Sequence, residues 1–150
     1  MGEFGTPYLG RSDIDQEEVG LLSELGLDRL EEGDVDWIVS DHACCNAEQK
    51  YSAKFPKNIW MAKSGFGGTE YLLSGVLSEG AKRGMSYNHM AELLCWNPAQ
   101  RYGLRNKGDI APGFDADLVL VDPQESFVVR AAESESKQGY TSFEGIEHSG

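Results

Sequence analysis

An aspartate and a histidine stand side by side at positions 41 and 42, directly after the short apolar run of residues 35–40. That run is rich in β-forming side chains and predicts a buried strand. A carboxylate is costly to bury, so Asp41 at the exit of such a strand is expected to meet an ion, a proton or a polar ligand. α/β folds place acid and base groups in this way, at the C-terminal ends of strands. The residues alone leave open that Asp41 only caps the next turn.

A second stretch with chemical potential is glycine-rich and contains Gly65, Phe66, Gly67 and Gly68. Glycines let the backbone approach another group closely or adopt a positive φ. Such a loop at the start of a helix can hold an anion on its N–H groups. The stretch matches neither of the common phosphate-binding glycine patterns, so a tight turn into a helix is the other interpretation.

The remaining candidate ligands and nucleophiles are His89, His148 and the cysteines at positions 44, 45 and 95. Their spacing fits none of the common zinc patterns, so we expect no complete zinc site from this chain alone. A nucleophilic Cys44 or Cys45 beside His42 is conceivable, but a cysteine is more often an inert small hydrophobe. His89 is expected on the first turn of a helix as a surface or capping residue. These pieces resemble part of an active site whose other part lies elsewhere.

Helices and strands must position these residues. Helices are predicted over residues 13–32 (acidic), 58–63, 69–83 (capped by Thr69), 87–96 (capped by Ser86) and 97–103 (started by Asn97 and Pro98). In the helix over 69–83, the apolar positions 72, 73, 76 and 77 are predicted to lie on one stripe. Strands are predicted at 35–40, 117–121 and 126–131, with a long loop at 41–56 and a polar tail from 133. Helix, strand and polar loop in this order are typical of an α/β unit, with a small β extension after it.

The composition argues against several functional classes. The net charge of -12 on 150 residues disfavours nucleic acid and an anionic membrane as partners, because both require a basic face. The sequence contains no apolar run of 18 residues, and residues 1–10 have neither the basic nor the apolar region of a secretory signal, so we expect that they are not one. Three cysteines without a pairing pattern fit a reducing compartment, so we expect a cytoplasmic protein.

Five motifs together resemble the C-terminal third of the cyclic amidohydrolases, a family that includes dihydroorotase, allantoinase and hydantoinase/dihydropyrimidinase. They are SDHA at 40–43, GFGGTE at 65–70, NPAQRYGL at 97–104, KGDIAPGFDADLVLVD at 107–122 and GYTSFEGIEHSG at 139–150. The third and fourth form the specific signal, and SDHA alone would be weak.

The resemblance implies an α/β fold: the C-terminal part of a (β/α)₈ TIM barrel in residues 1–106, and strands of a small β-sandwich in 107–150. It implies that residues 35–40 form the eighth barrel strand and that Asp41 is both a metal ligand and a catalytic residue at a binuclear zinc centre. In the family this carboxylate takes the proton of the metal-bridging hydroxide and passes it to the leaving amide nitrogen. His42 is implied as an orienting or substrate-contacting neighbour, and Gly65, Phe66, Gly67 and Gly68 as the loop that contacts the substrate ring amide.

The family's remaining ligands, an H-x-H pair, a carboxylated lysine and two further histidines, cannot be placed in this chain. The expected function is therefore the C-terminal part of a zinc-dependent enzyme that opens a cyclic amide or imide, with the chain alone inactive. Its expected partners are a small cyclic amide and either a second copy or the missing part of the barrel. The alternative is a non-catalytic fragment or assembly module in which Asp41 is only a structural cap.

Overall fold

The computed structural model describes residues 35–43, 45–51, 58–61 and 63–150, and the predicted acidic helix over 13–32 lies outside this part. Its helices are α1 (Ala47–Tyr51), α2 (Leu72–Lys82), α3 (Tyr87–Ala91) and α4 (Asn97–Tyr102), with a π-helical turn at Glu92–Trp96 and 3₁₀ turns at Ile59–Met61 and Ala131–Glu133. Its strands are β1 (Ser126–Val128) and β2 (Glu147–Ser149).

The apolar core lies between α2, α3 and the π-helical turn. Met90 and Leu93 are each 1% exposed and pack with Leu77 and Met85. Partly buried apolar side chains cover this cluster, namely Val35, Ile38, Leu73 and Val76. The predicted apolar stripe of α2 is therefore confirmed, because its members at 73, 76 and 77 face the core.

The start of α2 differs from the prediction. The helix begins at Leu72, its N-cap residue is Tyr71, and no side chain caps it. The hydroxyl of Thr69, the predicted cap, instead lies 3.1 Å from the hydroxyl of Ser40. The prediction was wrong because a threonine hydroxyl can also bond outside its own helix, and here the partner lies 29 positions away.

The next helical run confirms one predicted cap and corrects another. The Ser86 hydroxyl accepts a hydrogen bond from the backbone N–H of His89, as an N-cap does. The α-helix predicted to begin at Asn97 is present as α4, but Asn97 is not its N-cap, because its backbone is already helical and the chain continues without a break from the π-helical turn. Pro98 has no backbone N–H to donate, and it lies in the first turn of α4, directly after the π-helical turn. The run ends at Gly103, whose φ is +70°.

A small antiparallel pair joins β1 to β2, with Phe127 opposite His148. The predicted strand at 126–131 is confirmed only in its first half, and the strand in the polar tail was missed. This pair packs on α2, where the Ser78 hydroxyl accepts a hydrogen bond of 2.6 Å from the backbone N–H of Ser149. Short strands with few apolar residues carry no clear alternation, which explains the missed strand.

Two predicted strands are not paired within the described part of the chain. Residues 35–40 are held instead by a hydrogen bond of 3.0 Å from the Ile38 N–H to the Leu93 carbonyl. Residues 117–121 are not in a sheet, and Leu120 is 98% exposed. Both segments have strand-like composition, but a strand forms only where a neighbour supplies backbone partners.

The predicted long loop at 41–56 contains helix α1. Asn46 begins it with a reciprocal pair of contacts: its side chain accepts from the Gln49 N–H at 2.9 Å, and the Gln49 side chain accepts from the Asn46 N–H at 3.1 Å. This is a capping box, and its Asn-x-x-Gln spacing was visible in the sequence. The short helix predicted at 58–63 is present as the 3₁₀ turn Ile59–Met61.

Among the described residues, no helix combines the length and apolarity needed to cross a lipid bilayer.

Candidate active site

Asp41 directly follows the segment 35–40, and its backbone conformation is unusual. Its φ is +44°, and no other described residue except glycines has a positive φ. This conformation costs an ordinary L-residue about 1 kcal/mol, although aspartate tolerates it better than most. The side chain is exposed. A strained turn that presents a carboxylate to its surroundings is a feature often found at functional sites.

His42 fastens this turn to the glycine-rich loop. Its Nδ1 accepts hydrogen bonds from the backbone N–H groups of Gly68, at 3.2 Å, and Thr69, at 3.4 Å. A ring nitrogen that accepts carries no proton, so the neutral ring has its proton on Nε2. The backbone adds a further link, since the Ala43 N–H donates to the Phe66 carbonyl at 2.8 Å. The structure thus brings Asp41 and His42 together with the loop at 65–68.

The glycines of this loop differ in how closely their neighbours approach them. Gly65 has a φ of +78°, and a Cβ there would overlap the Cβ of Ala43. A Cβ on Gly67 would overlap the side chain of Gln138, at 2.6 Å from its Cδ. At Gly68 a Cβ would lie 3.5 Å from the Ser40 carbonyl oxygen, which is an ordinary contact. Gly65 is therefore required by its positive φ and by its contact with Ala43, whereas the space beside Gly67 is filled by the flexible end of the Gln138 side chain.

Lys50 also contacts the glycine-rich loop, a role that the sequence analysis did not predict. It is 7% exposed, and its Nζ donates a 2.6 Å hydrogen bond to the Gly65 carbonyl. The same Nζ lies 3.9 Å from the centre of the Phe66 ring, a cation–π contact. Lys50 projects from α1, so the capping box at Asn46 was the signal that could have placed it on an ordered element.

The C-terminal tail also reaches this site, which sequence reasoning missed. Gln138 Nε2 donates to the Ala43 carbonyl at 2.7 Å, and the Gln138 carbonyl accepts from the Ala47 N–H at 3.1 Å. The Tyr140 hydroxyl lies 3.1 Å from Cys45 Sγ. The Glu70 carboxylate accepts from the Ser134 hydroxyl and, at 3.0 Å, from the Glu135 N–H. The tail segment, residues 134–140, is therefore hydrogen-bonded to both sides of the site.

The sequence model of the Amidohydrolase family matches residues 27–150. The chain belongs to the amidohydrolase family. The match begins before the turn at Asp41 and covers both the loop at 65–68 and the tail segment.

Individual relatives of this amidohydrolase chain are similar in sequence and in structure. The allantoinase of Salmonella newport is 33% identical over 153 residues, which cover 93% of this chain and 33% of the allantoinase. The D-hydantoinase (dihydropyrimidinase) from Thermus sp. superposes with a TM-score of 0.77 at 28% identity, over 84% of this chain and 28% of its own. The L-hydantoinase (dihydropyrimidinase) from Arthrobacter aurescens superposes with a TM-score of 0.74 at 31% identity, over 90% of this chain and 29% of its own. The chain thus spans about a third of the length of the curated relatives that it matches.

Among the described residues of this amidohydrolase chain, the other candidate ligands do not form a cluster with Asp41. His89 is on the first turn of α3, where its Nδ1 lies 3.3 Å from a Glu92 carboxylate oxygen. His148 is 3% exposed and packs among aromatic rings near α2. Cys95 is exposed, and Cys45 is buried beside Tyr140. Cys44 lies outside the described residues.

Family members generally use metal ions, and the described residues supply only part of what such a site needs. Within residues 35–43, 45–51, 58–61 and 63–150, no group of three or more His, Cys, Asp or Glu side chains could hold one. Asp41 offers one exposed carboxylate, which is a suitable single ligand for a divalent cation. The described residues alone therefore do not complete a metal centre.

Proposed function

We propose that this chain is the C-terminal part of a zinc-dependent cyclic amidohydrolase that hydrolyses a C–N bond of a cyclic amide or imide. The substrate belongs to the hydantoin, dihydropyrimidine, allantoin or dihydroorotate class. Family membership and the likeness to an allantoinase and two hydantoinases support the class of reaction. The observation that carries the proposal is the strained turn that presents Asp41 beside a glycine-rich loop.

In this proposal Asp41 is the proton carrier. Its exposed carboxylate accepts a proton from the attacking water and returns it to the amide nitrogen that leaves. A bound metal pair would supply the activation of that water, and Asp41 would be one of its ligands. His42 is proposed to hold the turn and the loop together, because its Nδ1 is occupied by two backbone N–H groups.

The loop of Gly65, Phe66, Gly67 and Gly68 is proposed as the substrate-binding element. Backbone N–H and C=O groups can recognise a ring amide only if side chains do not stand in the way, and three of these four positions lack one. Lys50 and the tail segment contact the loop and the turn beside it, which supports a fixed rather than a mobile binding surface.

The wider architecture is also a proposal. Residues 1–106 would form the end of a (β/α)₈ barrel, with 35–40 as its eighth strand, and residues 107–150 would contribute strands to a β-sandwich. The segments 35–40 and 117–121 support this architecture, because they have strand-like composition but no paired strand in the described part of the chain. Such segments can form backbone hydrogen bonds with strands from outside this part. The missing neighbour would be the rest of the barrel or a second copy. On its cysteine usage, the protein is proposed to be cytoplasmic.

The sharpest experiment replaces Asp41 with Asn in a full-length enzyme that carries this chain. We expect kcat for the cyclic amide to fall by at least about 100-fold, because loss of a general base commonly costs that much. The matched control is Asp36→Asn, the same change at an exposed side chain of the same segment. A near-normal kcat in Asp41→Asn would refute the proposed role.

A non-catalytic role is the second candidate, because the described residues do not complete a metal centre. In that case Asp41 would be only a turn residue, and the chain would serve assembly. Measurements of zinc content and cyclic-amide hydrolysis in the purified 150-residue chain distinguish the catalytic role from the non-catalytic one. Stoichiometric zinc together with hydrolysis would exclude the inert role, whereas absence of both combined with an unaffected Asp41→Asn full-length enzyme would establish it.

A further inference from the structure

The side chain of Gln138 lies between the two halves of the candidate site. Its Nε2 donates to the carbonyl of Ala43, 95 positions earlier in the chain, at 2.7 Å. Its Oε1 and Cδ fill the space in which a Cβ of Gly67 would stand. One amide side chain therefore touches the residue after His42 and the centre of the glycine-rich loop.

Gln138 is itself held firmly. It is 7% exposed, its backbone N–H donates to the Ser136 hydroxyl at 3.3 Å, and its carbonyl accepts from the Ala47 N–H. The Ser136 hydroxyl also lies 3.4 Å from Gln138 Oε1. A buried amide whose donor and acceptor ends are both occupied has little freedom to rotate, and it transmits its position to what it touches.

We propose that Gln138 is a positioning residue: it fixes the spacing between the Asp41–His42 turn and the loop at 65–68, and thereby the shape of the substrate-binding surface. The contact with Ala43 sets the turn from one side, and the contact with Gly67 sets the loop from the other. The tail segment is then part of the site rather than a connection to a separate subdomain. The effect of Gln138 on substrate binding rests on the proposed function.

The chemistry of the two contacts explains the residue type. The Ala43 carbonyl needs a donor, and the Ser136 hydroxyl can donate to an acceptor at the other end of the same side chain. Glutamine supplies both, whereas glutamate has nearly the same shape but no donor. Gln138→Glu therefore removes the contact with Ala43 and places a negative charge beside that carbonyl, with little change in volume.

The first experiment measures amide hydrogen exchange in the 150-residue chain. In Gln138→Glu we expect exchange at Ala43, Gly68 and Thr69 to speed up about tenfold, since loss of a buried hydrogen bond of about 1.4 kcal/mol corresponds to that factor. Exchange at Leu93 in the core should not change. The matched control, Gln124→Glu, makes the same substitution at an exposed position and should leave all four amides unaffected.

Two results would overturn the proposal: unchanged exchange at the three site amides, or an equal acceleration at Leu93, which would mean general destabilisation. Should Gln138→Glu fail to fold, Gly67→Ala tests the same contact from the other side. Its Cβ displaces the Gln138 side chain, so the Ala43 amide should again exchange faster while Leu93 does not. Unchanged Ala43 exchange in that variant would also overturn the proposal.

The second experiment measures kinetics of the full-length enzyme on a cyclic amide. A positioning role predicts that Gln138→Glu raises KM about tenfold with kcat within about twofold, since the binding surface changes but Asp41 remains. An unchanged KM, or a loss of kcat alone, would contradict it. If the wild-type full-length enzyme opens no cyclic amide, the proposed function has failed, and the exchange experiment alone decides the role of Gln138.

Discussion

The candidate site and the helical core are stabilised by different interactions. The site, formed by residues 40–43, 65–69 and 134–140, is held mostly by hydrogen bonds between backbone and polar side chains, and much of it is exposed. The core around Met90 and Leu93 is apolar and buried. Burial of apolar surface dominates stability, whereas directional hydrogen bonds define geometry. Substitutions in the core should therefore change the free energy of unfolding, and substitutions at the site should change the arrangement of its parts.

The largest effect on stability is expected from Leu93→Ala. Its side chain is 1% exposed, so truncation leaves a cavity in the core and should lower the free energy of unfolding by about 2–5 kcal/mol. Chemical denaturation followed by circular dichroism measures this. The matched control is Leu120→Ala, the same substitution at a side chain that is 98% exposed, where we expect a change within about 0.5 kcal/mol. Equal losses in the two variants would contradict the assigned core.

His148, which is buried where β2 packs on α2, makes the stability of the fold sensitive to pH. Burial lowers the pKa of its imidazole, although Glu79 opposes this shift, and the ring bonds the Ser74 hydroxyl at 2.9 Å. Because the folded pKa lies below the unfolded value of about 6.5, the unfolded state binds the proton more readily. The stabilising contribution is therefore full above pH 6.5 and is lost as the pH falls toward the folded pKa.

We expect the free energy of unfolding to decrease on acidification from pH 7.5 to 5.5, with a slope of at most about 1.4 kcal/mol per pH unit from this group. Denaturation curves at several pH values give the slope. In His148→Phe, an aromatic replacement among the neighbouring rings of Tyr71 and Phe143, this part of the slope should disappear. A slope that persists unchanged would assign the effect to other groups.

The sequence predicted local features well and distant polar contacts poorly. The Ser86 cap, the stop at Gly103 and the apolar stripe of α2 depend on residues within one or two turns, so their spacing is visible in the chain. Lys50 and Gln138 reach the site through contacts between residues far apart in sequence, and polar contacts of that kind leave no periodic pattern. The strand predicted at 117–121 was wrong for a related reason. Composition can indicate a strand, but it does not show whether a neighbouring strand is available to pair with it.

At the site, the sequence could indicate candidates but not their arrangement. The Asp41–His42 pair and the glycines stood out by residue type, and the family resemblance suggested that they act together. Nothing in the sequence showed that His42 accepts from the loop, or that a positive φ turns Asp41 outward. Such details arise from tertiary contacts, which override local preferences. Their catalytic roles remain predictions.

A smaller loss of stability is expected when the N-cap of α3 is removed. Ser86→Ala removes the side chain that accepts from the His89 N–H and should lower the free energy of unfolding by about 1 kcal/mol. Ser86→Asn preserves a capping acceptor and serves as the control, with most of the stability retained. Denaturation midpoints of the three proteins test this, and equal midpoints for the Ala and Asn variants would exclude capping as the source.

The smallest effect on stability, and the most informative for the comparison, is expected at His42. The residue is exposed, so His42→Phe should cost less than about 1 kcal/mol, yet it removes the acceptor that joins the turn to the Gly68 and Thr69 N–H groups. Exchange of these two amides should therefore speed up while exchange in the core does not. His42→Asn is the matched control, because an asparagine Oδ1 can take the place of Nδ1 as acceptor and should preserve much of the protection. If both variants instead destabilise the whole chain equally, the site and the core are one cooperative unit, and the separation between geometry and stability does not hold.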